Sequence, residues 1–175
     1  MKERGFTMIE LIVTLAILSF GIIGVYSAFT PLVYLTSNIS SRLTAAYLAQ
    51  EGMEIVRNIR DNNIIAAASN PGIGWSDGLL ECNLGCQADY KTATSAEQFD
   101  NQLKPYNETT YLSLDSDGLY SHDQGGTATK FKRNIIIEQD GSNVDALKVS
   151  VIVSWNYNSQ PFSFEAQGYL YNWYE

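Results

Sequence analysis

Glu10 is a lone carboxylate at the head of an apolar stretch; no other charged residue follows it before Arg42. A group of that kind is expensive in a bilayer, which makes it a functional candidate by default. Cys82 and Cys86 stand as C-x3-C in a loop containing Gly and Asn. A metal site would need two further ligands, and the sole histidine, His122, lies far along the chain. A short disulfide in an oxidising compartment is the better reading of the pair than free thiols. It would close a small surface loop and contribute modestly to stability. Asp115 and Asp117, joined by Asp123, are candidate calcium ligands. Set on the EF-hand spacing, position 1 would be Ser113 and position 12 Gln124, so both anchoring carboxylates are missing. A plain turn is the favoured reading. His122 lacks the Ser/Asp or Cys/Asp setting of nucleophilic catalysis, and the chain has no nucleophile elbow and no Gly-rich phosphate loop. No enzymatic activity and no cofactor is expected.

These residues must be held by two very different parts of the chain. Residues 11 to 41 are uncharged and dominated by Leu, Ile, Val, Ala and Phe, whereas the remainder is polar and rich in Tyr. The first part is too long for the 7–15-residue core of a cleaved secretory signal and meets the roughly 20 residues needed to span a bilayer. Lys2 and Arg4 on its N-terminal side place the N-terminus in the cytoplasm and the head outside. Pro31, Gly21 and Gly24 should loosen the helix, with a kink near residues 27–31. The formal charge of −8 argues against nucleic acid as a partner of the head, the only basic cluster being Lys130, Lys132 and Arg133 on one strand.

From Asn38 to Asn62 the pattern becomes amphipathic, with Ile39, Leu43, Ala46, Ala49, Met53, Val56 and Ile59 at helical spacing. Arg57 and Asp61 form an i,i+4 pair on the solvated face. Residues 63–128 read as a variable loop region, with Ile64 to Ala68 able to prolong the helix, a short polar helix near Ser95 to Leu103 and a short strand at Tyr111 to Leu114. Three strands follow at hairpin spacing: Lys130 to Gln139, Ala146 to Trp155 and Phe162 to Trp173. One face of such a meander stays wet while the other packs on a helix. The closing aromatics Tyr169, Tyr171, Trp173 and Tyr174 read as packing residues in preference to a sugar-binding or subunit-contact surface. The fold class is α+β: a long N-terminal helix whose outer half packs on a C-terminal antiparallel sheet.

The opening residues resemble the class III signal of type IV prepilins and pseudopilins, a basic leader followed by Gly, Phe, Thr, two free positions, Glu and an apolar helix. Gly5, Phe6, Thr7, Glu10 and Leu11 carry the match. The resemblance implies a pilin-like fold with residues 1–5 as leader, 6–35 as transmembrane and assembly helix and 36–175 as extracytoplasmic head. It implies cleavage between Gly5 and Phe6 by prepilin peptidase and N-methylation of Phe6. Glu10 would then neutralise the N-terminus of a neighbouring subunit; the competing reading is a carboxylate that snorkels to the headgroups or pairs within its own chain. Partners implied are prepilin peptidase, other pilin subunits, an inner-membrane assembly platform and, before assembly, lipid. The stretch AAYLAQEGMEIVRNIRD, with a sheet ending at YLYNW, is similar to minor pilins involved in pilus modification. The function expected is a structural subunit of a type IV pilus. The alternatives are a pseudopilin of a type II secretion or competence system, or an anchored adhesin that never polymerises.

Overall fold

The computed structural model describes residues 5–92, 103–123 and 125–173. One helix, α1, runs Met8–Ala67, and Pro31 lies inside it without ending it. The chain divides into two compact units, residues 1–41 and 42–175.

In the first unit, Met8–Phe29 is a 22-residue apolar segment none of which is buried. At 1.5 Å per residue it is about 33 Å long, against a hydrocarbon core of about 30 Å. Its Thr and Ser hydroxyls are satisfied by its own backbone. Thr14 Oγ1 donates to the Glu10 carbonyl at 2.9 Å, Ser19 Oγ to Leu15 at 2.8 Å and Ser27 Oγ to Gly24 at 3.1 Å. Back-bonding of this kind leaves no polar hydrogen facing an apolar solvent.

The second unit starts with residues 42–67 of α1. A short 3-10 helix, Leu80–Leu84, follows, then strands β1 (Cys86–Gln87), β2 (Lys104–Pro105), β3 (Ser113–Leu114), β4 (Tyr120–Ser121), β5 (Thr127–Ala128), β6 (Phe131–Gln139), β7 (Ala146–Tyr157) and β8 (Gln160–Tyr171). The main sheet is antiparallel in the order β2-β1-β6-β7-β8, and β3, β4 and β5 form a second small sheet. The three expected strands are β6, β7 and β8. What the sequence pattern did not reveal is that the connecting region adds β1 and β2 to the edge of β6. Two-residue strands carry no periodicity, so only the pairing of Cys86 with Ile135 exposes them. The helix expected near residue 95 falls, apart from Leu103, outside the described residues. β7 and β8 join through Asn158 and Ser159, both at positive φ (49° and 61°), the two-residue turn whose twist matches the strands.

The core joins Ala45, Leu48, Ala49, Val56 and Ile59 of α1 to Ile135 and Ile137 of β6, Val149, Val151 and Val153 of β7, and Leu170 of β8. The helical stripe is therefore rotated from the expected one: Ile39 and Leu43 are more than half exposed, and Ala45, Leu48 and Gly52 take the buried face. Small residues win there because the sheet comes close. A Cβ on Gly52 would sit 2.8 Å from Val151 Cγ1 and 3.1 Å from Arg133 Cδ. The surface pairs also differ, since Arg57 pairs with Glu54 and Asp61 with Arg60 rather than with each other. Three of the closing aromatics do not pack into the core: Tyr169 and Tyr171 stack on each other on the outer face, centroids 6.4 Å apart, and Trp173 is exposed, while Tyr174 lies outside the described residues.

The sequence alternation sets Arg133 on one face of β6 with Phe131, Ile135 and Ile137, and that face is the buried one. What changes is its grouping with Lys130 and Lys132 as one basic cluster. Lys130 immediately precedes β6 and Lys132 lies on its outer face, whereas Arg133 points inward and is fully buried. Its guanidinium donates to the Leu48 carbonyl at 3.0 Å, the Ala88 carbonyl at 2.6 Å and Glu51 Oε2 at 3.0 Å. It ties helix, connecting region and sheet together, so the three cations do not make one basic patch. Asn63, also fully buried, plays a similar part beyond the helix, its amide donating to the carbonyls of Trp75 at 3.2 Å and Asp77 at 2.9 Å.

Candidate functional site

The N-terminal end of α1 gathers Gly5, Phe6, Thr7 and Glu10 within two helical turns, all exposed. Thr7 donates to Glu10 Oε2 through its backbone N–H (3.4 Å) and its hydroxyl (3.3 Å), and the Glu10 N–H donates back to Thr7 Oγ1 at 3.4 Å. This is a reciprocal capping box: the threonine satisfies a donor of the first turn while the glutamate three residues on reaches back to it. The T-x-x-E spacing before an apolar run is a legible signal of such a box, and the sequence reading passed over it. A carboxylate in the first turn is also favoured by the positive end of the helix dipole. All three bonds are long, so the hold on Glu10 is weak. A Cβ on Gly5 would meet no atom of the described residues within 4 Å, so nothing in their packing requires glycine there.

Residues 1–26 match the model of the prokaryotic N-terminal methylation motif. The chain carries a type IV pilin-type prepilin signal. With the helix and the antiparallel sheets, the architecture is an α+β pilin-like fold. The exposed apolar segment behind the prepilin signal fits a membrane-anchored protein. No curated protein and no solved structure matches the chain.

The other residues singled out in the sequence lie in the second unit, away from the prepilin signal in the chain. Cys82 and Cys86 form a disulfide with Cα atoms 5.2 Å apart. It is no surface staple: the two residues are 0 % and 3 % exposed and belong to the core. A chemically apolar disulfide fills core volume where β1 meets β6, which an apolar pattern in so short a strand could not announce.

Asp115, Asp117 and Asp123 are not brought to a common point. Asp115 Oδ1 accepts the N–H groups of Asp117 and Leu119, each at 2.9 Å, and its Oδ2 accepts the Tyr90 hydroxyl at 2.7 Å. Those bonds, the Leu119 amide foremost, hold the Asp115 carboxyl below the usual carboxylate range. Asp123 pairs with Lys91. Among the described residues no group of three or more His, Cys, Asp and Glu converges on a metal position. His122 is half-buried, its backbone N–H donating to Asp89 Oδ2 at 3.0 Å. Desolvation, and secondly the Arg133 charge, push its ring pKa down from the ordinary histidine value.

Proposed function

We propose that the chain is a structural subunit of a type IV pilus, cut between Gly5 and Phe6 by prepilin peptidase, N-methylated on Phe6 and assembled through α1. The observation that carries this reading is the match of residues 1–26 to the methylation motif, which takes in most of the apolar segment Met8–Phe29, none of it buried among the described residues. A glycine that the packing of the described residues does not require is understood if the requirement comes from a protease that must fit an unhindered backbone. The similarity of residues 45–61 to minor pilins supports the minor class of subunit.

Glu10 is the assembly residue in this reading. Among the described residues its carboxylate is held in the precursor by Thr7, at 3.3–3.4 Å. Cleavage creates a cationic amino group on Phe6, about one helical turn away. An ammonium–carboxylate pair, charged on both sides, is stronger than the long bonds from uncharged Thr7 donors that it would replace, and more so between packed helices with little water. Glu10 then neutralises the N-terminus of a neighbouring subunit, which stabilises a docked subunit over one left in lipid.

The test separates processing from assembly. Intact-mass measurement should find the wild-type chain without residues 1–5 and carrying one methyl group. Glu10→Ala should be cleaved normally and yet be depleted about tenfold or more from sheared filaments, a loss matching one buried ion pair. Wild-type levels of that variant in filaments would rule out the pairing. Gly5→Leu should retain the leader mass.

A further inference from the structure

We propose that the side-chain amide of Asn107 is a glycan acceptor, taking its sugar from a lipid-linked sugar diphosphate once the head is outside the membrane. The site rests on the export of the head in the reading above. Asn107-Glu108-Thr109 has the Asn-x-Thr spacing of such acceptors, with a residue other than proline in the middle. The triplet lies between β2 and β3, and all three residues are exposed. Spacing alone decides little, because so short a motif recurs by chance. The geometry at Asn107 supplies the rest.

An amide nitrogen is a poor nucleophile, since its lone pair is delocalised into the carbonyl. Two requirements follow for its attack. The oxygen must be held by donors that stabilise the negative charge it gains as the nitrogen loses a proton, and the nitrogen itself must be open. Asn107 Oδ1 accepts the Thr109 N–H at 3.0 Å and the Thr109 hydroxyl at 2.7 Å. Among the described residues Asn107 Nδ2 donates no hydrogen bond. The turn is closed by the Thr110 N–H on the Asn107 carbonyl at 3.0 Å, and the Tyr106 N–H ties its start to the Gly85 carbonyl at 3.0 Å. The acceptor is thus shaped before any enzyme meets it, which lowers the ordering cost of binding.

In the transfer, Nδ2 attacks the anomeric carbon of the donor sugar. The N–C bond forms as the C–O bond to the diphosphate breaks, and the lipid diphosphate leaves with the electron pair. One Nδ2 proton passes to a carboxylate base of the transferase, so the step needs neither oxidant nor reductant. The chain carries its own control. Asn38-Ile39-Ser40 has the same spacing and is the only other triplet of this kind. It lies inside α1, where the backbone N–H of Ser40 belongs to the helical ladder and Asn38 is half-buried. The Asn38 Oδ1 is buried and, among the described residues, accepts no hydrogen bond. One triplet is exposed with its amide oxygen doubly held, and the other is helical with its oxygen unheld. Backbone conformation, not spacing, selects Asn107.

Full-length protein purified from the cells that naturally make it would be digested with trypsin and read by electron-transfer mass spectrometry. Cleavage after Lys91 and Lys130 places Asn107 in one peptide, the Lys104-Pro105 bond resisting the enzyme, and cleavage after Arg42 places Asn38 in another. A glycan mass is expected on Asn107 and none on Asn38. Thr109→Ser keeps both donors to Oδ1 and should keep the glycan. Thr109→Val keeps the N–H but not the hydroxyl, and should lower the transferred fraction about tenfold, the rate factor of roughly one hydrogen bond lost in the transfer step. Bare Asn107 in protein from those cells would overturn the proposal. So would a glycan on Asn38 instead, or full occupancy in Thr109→Val. The mass of the N-terminal peptide reports removal of residues 1–5 separately, so failure of the pilus reading and failure of the acceptor site are told apart.

Discussion

The two halves of α1 use similar residues for opposite ends. Along Met8–Phe29 the apolar side chains form no stripe and none is buried. From residue 42 onward the apolar side chains are fewer, yet Ala45, Leu48, Ala49, Val56 and Ile59 are almost completely enclosed. Hydrophobicity alone does not say what a helix is for; its angular distribution does. An all-round apolar surface seeks a surrounding solvent of lipid or of other helices, whereas a narrow stripe with Gly52 at its centre seeks one sheet at close range. The polar groups follow the same division. Hydroxyls of the first half bond back into their own helix, while Glu51 in the second half reaches across to Arg133.

The sharpest way to break that contrast is a matched pair of truncations. Ile59→Ala should destabilise the head by about 3 kcal/mol, because it opens a cavity in a packed core, whereas Ile17→Ala should leave head stability within about 0.5 kcal/mol. Urea unfolding of the full chain in micelles, followed by tryptophan fluorescence, reads both; equal effects would erase the distinction. Arg133→Ala should cost about 3 kcal/mol, since it strands Glu51 and two carbonyl groups around a void. Gly52→Ala tests close approach directly. Alanine is the better helix former by up to about 1 kcal/mol, but the contact with buried Val151 should turn the balance into a net loss of about 2 kcal/mol.

The smallest effect is one of pH. His122 is held below its ordinary pKa by burial and by Arg133, with Asp89 opposing and Lys104 adding slightly. Its unfolded value is near 6.5, so as pH falls through that value the unfolded chain takes up a proton that the folded head resists. Stability contributed by the neutral ring is present above that pH and is lost below it. The urea midpoint should therefore fall between about pH 7.5 and 5.5, and His122→Gln should flatten that slope. The lowered Asp115 carboxyl acts only in the more acidic carboxylate range, outside this window.

Much of this contrast was legible in the sequence. The prepilin signal, the apolar span and the three long strands follow from local patterns, and every inward residue expected on β7, from Leu147 to Trp155, is buried. The phase of the helical stripe was not. Periodicity weighs Ile39 and Leu43 above Ala45 and Gly52, but a sheet at short distance selects for smallness, which hydropathy does not score. The alternation with Phe131, Ile135 and Ile137 already set the phase of Arg133, but not its partners, which lie on two distant segments and carry no local signal. The two-residue strands β1 and β2 lie below the length at which any period can be recognised. At the N-terminus the residues were found but not their mutual hydrogen bonding, although Thr7 and Glu10 have the spacing of a capping box.

The enclosed disulfide has a consequence for handling the protein. Thiol reagents attack sulfur only where they can reach it, and both sulfur-bearing residues here lie inside the core between the 3-10 helix and β6. Reduction must therefore wait for the head to open. The time course with a mild reductant becomes a clock for that opening, and a subunit clamped by neighbours in a filament would run it more slowly than one free in the membrane.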